Sequence, residues 1–159
     1  MEESIYTLAD LWRGSQAVNA DSVAKGENVS NFNISDVRYE RFYGTKSIQA
    51  GATVRSYDSK KAYNVQLHFY GLESDDKPSF SKSKVRVNCG CPMFYFYYAY
   101  DNHEKGAHVG RKPRPYEPVP ADKRKHEPGP PLNPSGLPGV CKHVIATATL
   151  LKQSGHITD

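Results

Sequence analysis

Cys89, Cys91 and Cys141 are the three cysteines of the chain, and with His143 they form two pairs of potential ligands. One pair is Cys89-x-Cys91 in "VNCGCPMFYF"; the other is Cys141-x-His143 in "GLPGVCKHVIA". Two thiolates one residue apart can converge on a single ion from a tight turn at a strand end. A cysteine and a histidine with the same separation can do so from the first turn of a helix. Together they make a Cys3His set, which is tetrahedral, closed and suited to structural Zn²⁺. A closed set leaves no position for a substrate, so the expected chemistry is structural rather than catalytic. Three unrelated free thiols and a surface histidine are the plainer alternative, but that leaves the two-by-two pairing unexplained. The odd cysteine count and the closeness of Cys89 to Cys91 argue against a disulfide framework. A Cys/His hydrolase needs an accessible thiolate and a base free of metal, whereas here one ion accounts for all four side chains.

The ligands need elements to hold them, and the pattern supplies candidates. "AYNVQLHFYG" alternates with Tyr63, Val65, Leu67 and Phe69 on one face, and "KVRVNC" places Val85 and Val87 inward and ends on Cys89. Further alternating segments lie at 37–43 and 52–58, and the aromatic run "MFYFYYAY" reads as strand to residue 97. "CKHVIATATLLKQSG" sets Val144, Ile145, Ala148 and Leu151 at helical spacing, with Gly155 as the stop. At the other end, "SIYTLADLWR" predicts a short amphipathic helix over 4–13 capped by Ser4, with Ile5, Leu8 and Trp12 on one face. The polar stretch 14–35 reads as an irregular arm. The expected fold class is therefore α+β: a small antiparallel sheet with a C-terminal helix, in one domain over 1–159. Its parts are an N-terminal helix and arm (1–35), antiparallel strands (36–100), a Pro-rich basic insertion (102–139) and a metal-clasped helix (140–155).

The combination "CGCPMFYF" and "GLPGVCKHVIATATLL" resembles the SWIM zinc finger, whose pattern is Cys-x-Cys, a variable gap and Cys-x-His. In that family the first pair is often followed by two phenylalanines at alternate positions, which Phe94 and Phe96 match, and the second by an apolar helix. The resemblance covers roughly residues 84–153 outside the insertion. It implies a strand pair followed by a helix, with Zn²⁺ on Cys89, Cys91, Cys141 and His143. The gap of 49 residues between Cys91 and Cys141 is longer than the family usually carries. Lengthening a closing loop from about 15 to about 49 residues costs roughly 1 kcal/mol. Structural zinc supplies on the order of 10–16 kcal/mol, so the metal tolerates the detour easily.

The insertion holds 9 of the 11 prolines and two basic clusters, Arg111, Lys112, Arg114 and Lys123, Arg124, Lys125. Proline-rich backbone of this kind makes no ladder hydrogen bonds, so no regular element is expected over 102–139. A plain linker has this composition too. Arg111, Arg114 and Tyr116 are the expected partner-binding anchors, because Arg and Tyr are favoured at interface cores. The composite "CPMFYFYYAY…GRKPRPY…PPLNPSGLPGVCKH" is also similar to small proteins encoded among the structural genes of tailed bacteriophages. That resemblance implies a virion component, made in the host cytoplasm, with other virion proteins as partners. A nucleic-acid-binding accessory module is the rival class, since the basic clusters can meet phosphates and the aromatic run 94–100 can stack bases. Against it, Glu104, Glu117, Asp122 and Glu127 dilute the charge along the insertion. His103, His108 and His126 match no metal-binding spacing and read as surface histidines.

Bulk properties set outer bounds. The formal net charge is +4 and mean hydropathy is −0.68, so the core is modest and charge alone does not specify nucleic acid. No apolar run approaches membrane-spanning length, and "MEESIYTLADLWRGS" lacks the basic start and apolar stretch of a signal peptide. A soluble intracellular protein with no small-molecule substrate is expected.

Overall fold

The computed structural model describes residues 4–73, 75–114 and 133–159. Four antiparallel strands form a meander in the order β1-β2-β3-β4: β1 (Phe32–Phe42), β2 (Ser47–Ser56), β3 (Ala62–Tyr70) and β4 (Lys84–Cys89). The register places Ile48 beside Phe69, Ala50 beside Leu67 and Ala52 beside Val65. Across the next ladder Val65, Leu67 and Phe69 meet Cys89, Val87 and Val85. Because side chains alternate along a strand, one face collects these apolar groups and buries them. Each such burial stabilises by about 1.5–3 kcal/mol. The α+β expectation is met, and β3 and β4 run as the alternation predicts.

The buried face is covered by α5 (Lys142–Gln153), whose His143 to Ala148 and Leu151 are all buried. It lies between the sheet and α2 (Ala20–Glu27). Gly26 permits that approach: a Cβ there would come within 2.8 Å of the Cβ of Ile145.

Three expectations are corrected. The first helix, α1, is Leu8–Val18, and its cap is Thr7, not Ser4. Thr7 Oγ1 accepts from the Asp10 N–H at 3.2 Å, while the Asp10 carboxylate accepts from the Thr7 N–H at 3.0 Å. This reciprocal capping box starts the helix three residues late. The stretch 14–35 is not an irregular arm but the rest of α1, then α2, a 3₁₀ turn (Val29–Asn31) and the start of β1. Only Val23 and Gly26 of α2 are buried, so its short polar helix has little apolar periodicity to betray it.

The aromatic run is helical, not strand. It passes from α3 (Pro92–Phe94) through a π-helical stretch (Tyr95–Ala99) into α4 (Tyr100–Glu104). Pro92 at the first helical position favours the start. The buried side chains Phe94, Tyr98 and Asn102 recur every four residues, while Phe96 is exposed. Helical burial here overrides the strand preference of aromatics. The insertion region therefore begins inside a helix, and its first residues are strapped to the open edge of β4. Val87 N–H donates to Ala107 O (2.9 Å), and Val109 N–H donates to Val87 O (3.0 Å). The N-terminal segment closes the other part of that edge, with Val85 N–H donating to Tyr6 O at 3.0 Å.

Candidate metal centre

β4 ends on Cys89, and the chain turns through Gly90 into α3, whose N-cap is Cys91. From the other side, Cys141 is the N-cap of α5 and His143 sits in its first turn. The four donor atoms lie within 4.8 Å of one another, and all four residues are buried. His143 Nδ1 is 3.9 Å from the sulfurs of both Cys89 and Cys141. A tetrahedral site with arms of about 2.3 Å to sulfur and about 2.0–2.1 Å to nitrogen has edges of about 3.6–3.8 Å. The observed separations are thus close to those around one ion. A thiolate-rich donor set of this number and size fits a soft divalent cation rather than calcium or magnesium.

The surroundings hold the ligands in place. Phe94 N–H donates to Cys91 Sγ at 3.3 Å. The rings of Phe32 and Tyr63 pack against the His143 imidazole, with centroids at 5.9 and 5.2 Å. Among themselves the thiols share protons unevenly. Hydrogen bonding from Cys141 and then Cys89 holds Cys91 far below the usual thiol range. Burial pushes Cys141 well above it. Cys89 is raised too: its bond with Cys141 favours the thiolate, but its bond with Cys91 and burial outweigh that. Three thiolates in contact and away from water need a cation to coexist.

Compared with known families, curated proteins and solved structures, the chain matches no family model, no curated protein and no solved structure. The function therefore has to be read from the geometry.

That geometry includes two anchor points that the sequence did not single out, both on the return of the insertion. Asn102 Nδ2 donates to Gly139 O and Gly139 N–H donates to Asn102 Oδ1, each at 2.8 Å, with Asn102 fully buried. Gly139 is required there, since a Cβ would lie 2.6 Å from Tyr98 Cε1 and 2.7 Å from Ser15 Oγ. Ser15 Oγ in turn accepts from Val140 N–H at 2.6 Å. Asn133 Nδ2 donates to the carbonyls of Tyr97 and Leu137, each at 2.9 Å. "NPSG" carries a local turn signal that points to Asn133; nothing local marks Asn102.

Among the described residues, the cluster holds no further expected site residue. Arg111 and Arg114 are exposed, and Tyr116 falls outside the described residues. His103 and His108 are not independent surface residues: their Nδ1 atoms are 3.3 Å apart, and His108 is buried and stacked on Phe94. Burial, then the neighbouring His103, lowers the His108 pKa to about 4. His126 lies outside the described residues. Among the described residues, no helix is long and apolar enough to cross a membrane.

Proposed function

We propose that Cys89, Cys91, Cys141 and His143 hold a structural Zn²⁺ of SWIM type, and that this chain is a non-enzymatic assembly protein of a multi-chain particle. Bound zinc neutralises the thiolates and joins the end of β4 to the start of α5. The β3–β4 hairpin followed by α5 supplies the strand-pair-and-helix order that the SWIM resemblance implies. Four buried protein donors leave no open coordination position, which supports a structural role and argues against catalysis.

The observation that carries the assembly reading is the double anchoring of the insertion beside the cluster. Its departure is strapped to β4 through Ala107 and Val109, and its return is clamped by Asn102 on Gly139 and by Asn133 on Tyr97. A linker serving only to connect needs no such fixation. Fixed ends and nine prolines limit the freedom that the insertion loses when a neighbour binds it. The partners are other virion proteins, contacted through residues that include Arg111, Arg114 and Tyr116. Placement in a tailed-phage particle, as an adaptor or reinforcing piece, rests on the resemblance of segment 86–150 to small phage structural proteins.

The test replaces residues 115–132, between the two anchors, with a short Gly/Ser linker. The variant should fold and bind one zinc per chain but be missing from purified particles by mass spectrometry. Normal incorporation would show that the insertion is a spacer and would overturn the assembly role.

A further inference from the structure

His103 and His108 form a second cluster of metal-ligating type, outside the Cys3His set. The way α4 ends brings them together. Gly106 takes a φ of +76°, a left-handed conformation that glycine adopts without strain and that lets the chain reverse. Gly106 N–H donates to His103 O at 3.1 Å, and Ala107 N–H donates to Asn102 O at 2.7 Å. These two bonds close the helix as a Schellman turn and return residue 108 to the side of residue 103. The reversed chain is then pinned on β4 by the bonds of Ala107 and Val109 to Val87. His108 therefore sits between two fixed residues, 7% exposed, with its ring centroid 6.2 Å from that of Phe94. His103 keeps part of its surface exposed.

The two rings meet through the same nitrogen. Their Nδ1 atoms are 3.3 Å apart and their centroids 5.4 Å apart. Two nitrogens on one ion, with arms of about 2.0–2.1 Å at the tetrahedral angle, are separated by about 3.3–3.4 Å. The pair thus already has the spacing of two ligands of one ion. A hydrogen bond between the rings is the plainer account, but at 3.3 Å it is longer than the range of about 2.7–3.2 Å for a good N–H donor. One proton at most fits between the two nitrogens, so at least one lone pair faces the gap. Burial, then the neighbouring His103, lowers the His108 pKa to about 4, which keeps that imidazole neutral and able to ligate at neutral pH.

We propose that His103 and His108 bind a divalent transition-metal ion through their Nδ1 atoms. Imidazole suits Zn²⁺, Ni²⁺ and Cu²⁺ rather than the oxygen-seeking Ca²⁺ or Mg²⁺. The two rings supply two positions of the ion, and among the described residues none supplies a third. Two such ligands hold an ion less firmly than the four of the Cys3His set, so this site empties on dialysis and refills when the ion is added. A bound ion ties the end of α4 to the strap on β4, and so fixes where the insertion leaves the domain. The site shares no ligand with the Cys3His set and does not rest on it.

The test uses the zinc-loaded full chain, dialysed and counted for zinc, then titrated with Zn²⁺ in a calorimeter. A second zinc should bind. Losing only an outer-shell partner of a metal site costs about 10–100-fold in affinity, so His103→Gln and His108→Gln, each removing a ligand, should weaken the second site at least about ten-fold. His68→Gln with His156→Gln should leave it unchanged. Nitrogen NMR of the imidazoles in the parent reads the site without any substitution: added Zn²⁺ should move the Nδ1 signals of His103 and His108 together. Circular dichroism and retention of the first zinc exclude misfolding as the cause of any loss. The proposal is overturned if the parent takes up no second zinc, which leaves the pair as a hydrogen bond only. It is overturned too if either His103→Gln or His108→Gln binds the second zinc like the parent, or if the added zinc moves the nitrogens of other histidines instead. Because the first zinc is counted before the titration begins, failure here leaves the Cys3His reading untouched.

Discussion

Replacing Cys141 by serine isolates the contribution of the metal to stability. Cys141 has no exposed surface and is the N-cap of α5, where its side chain makes no capping hydrogen bond. Serine is close in size, so packing changes little, but it is a far poorer zinc ligand. Structural zinc contributes on the order of 10–16 kcal/mol across four ligands; one ligand in four is about 3–4 kcal/mol. Serine is a good N-cap and can return about 1 kcal/mol by accepting from an orphan N–H of α5. The net loss is about 2–3 kcal/mol, because α5 still packs on the sheet through Val144, Ile145, Ala148 and Leu151. At about 2–4 °C per kcal/mol for a domain of this size, the melting temperature should fall by about 4–12 °C. Differential scanning calorimetry with and without chelator checks the assignment: chelator should lower both proteins, and the parent by more than Cys141→Ser, so that the two metal-free forms melt close together. A variant that melts with the parent while zinc is bound, or that loses as much on chelation as the parent does, would refute the reasoning.

Other consequences follow from the same geometry. Asn102→Ala leaves the N–H and C=O of Gly139 buried without partners and should cost about 2–4 kcal/mol in urea unfolding, with faster hydrogen exchange at Gly139 and Val140. Gly139→Ala should cost about 1–3 kcal/mol by driving a methyl into Tyr98 and Ser15, while zinc content stays at one per chain. His108, neutral in the fold with its pKa lowered to about 4, takes up its proton at higher pH when unfolded. Its contribution is therefore intact above about pH 6.5 and lost as pH falls towards 4. Between those limits the parent should lose up to about 3 kcal/mol more than His108→Gln in chemical denaturation.

What could be read in advance divides along physical lines. The clustering of Cys89, Cys91, Cys141 and His143 was legible because side chains able to share one ion are restricted in type and spacing, and those restrictions survive any fold around them. β3 and β4 were legible because each buries one regular face, leaving a period of two in Val65-Leu67-Phe69; α5, buried on two sides between the sheet and α2, still carried its larger apolar residues at the helical spacing Val144-Ala148-Leu151. The run 92–104 misled because aromatics suit strands, whereas Phe94, Tyr98 and Asn102 bury at helical spacing under Pro92. α2 was missed because it touches the core through Val23 and Gly26 alone. The clamps were invisible because Asn102 and Gly139, or Ser15 and Val140, meet only after the chain has closed over more than thirty residues. No local pattern records such a contact.

The central claim is that all four donors meet on one zinc ion. X-ray absorption at the zinc edge, on protein purified without added metal and calibrated by elemental analysis, measures this directly. The account predicts one zinc per chain with three sulfurs at about 2.3 Å and one nitrogen at about 2.0–2.1 Å. Absence of zinc, or a first shell made mostly of oxygen and nitrogen, would contradict it.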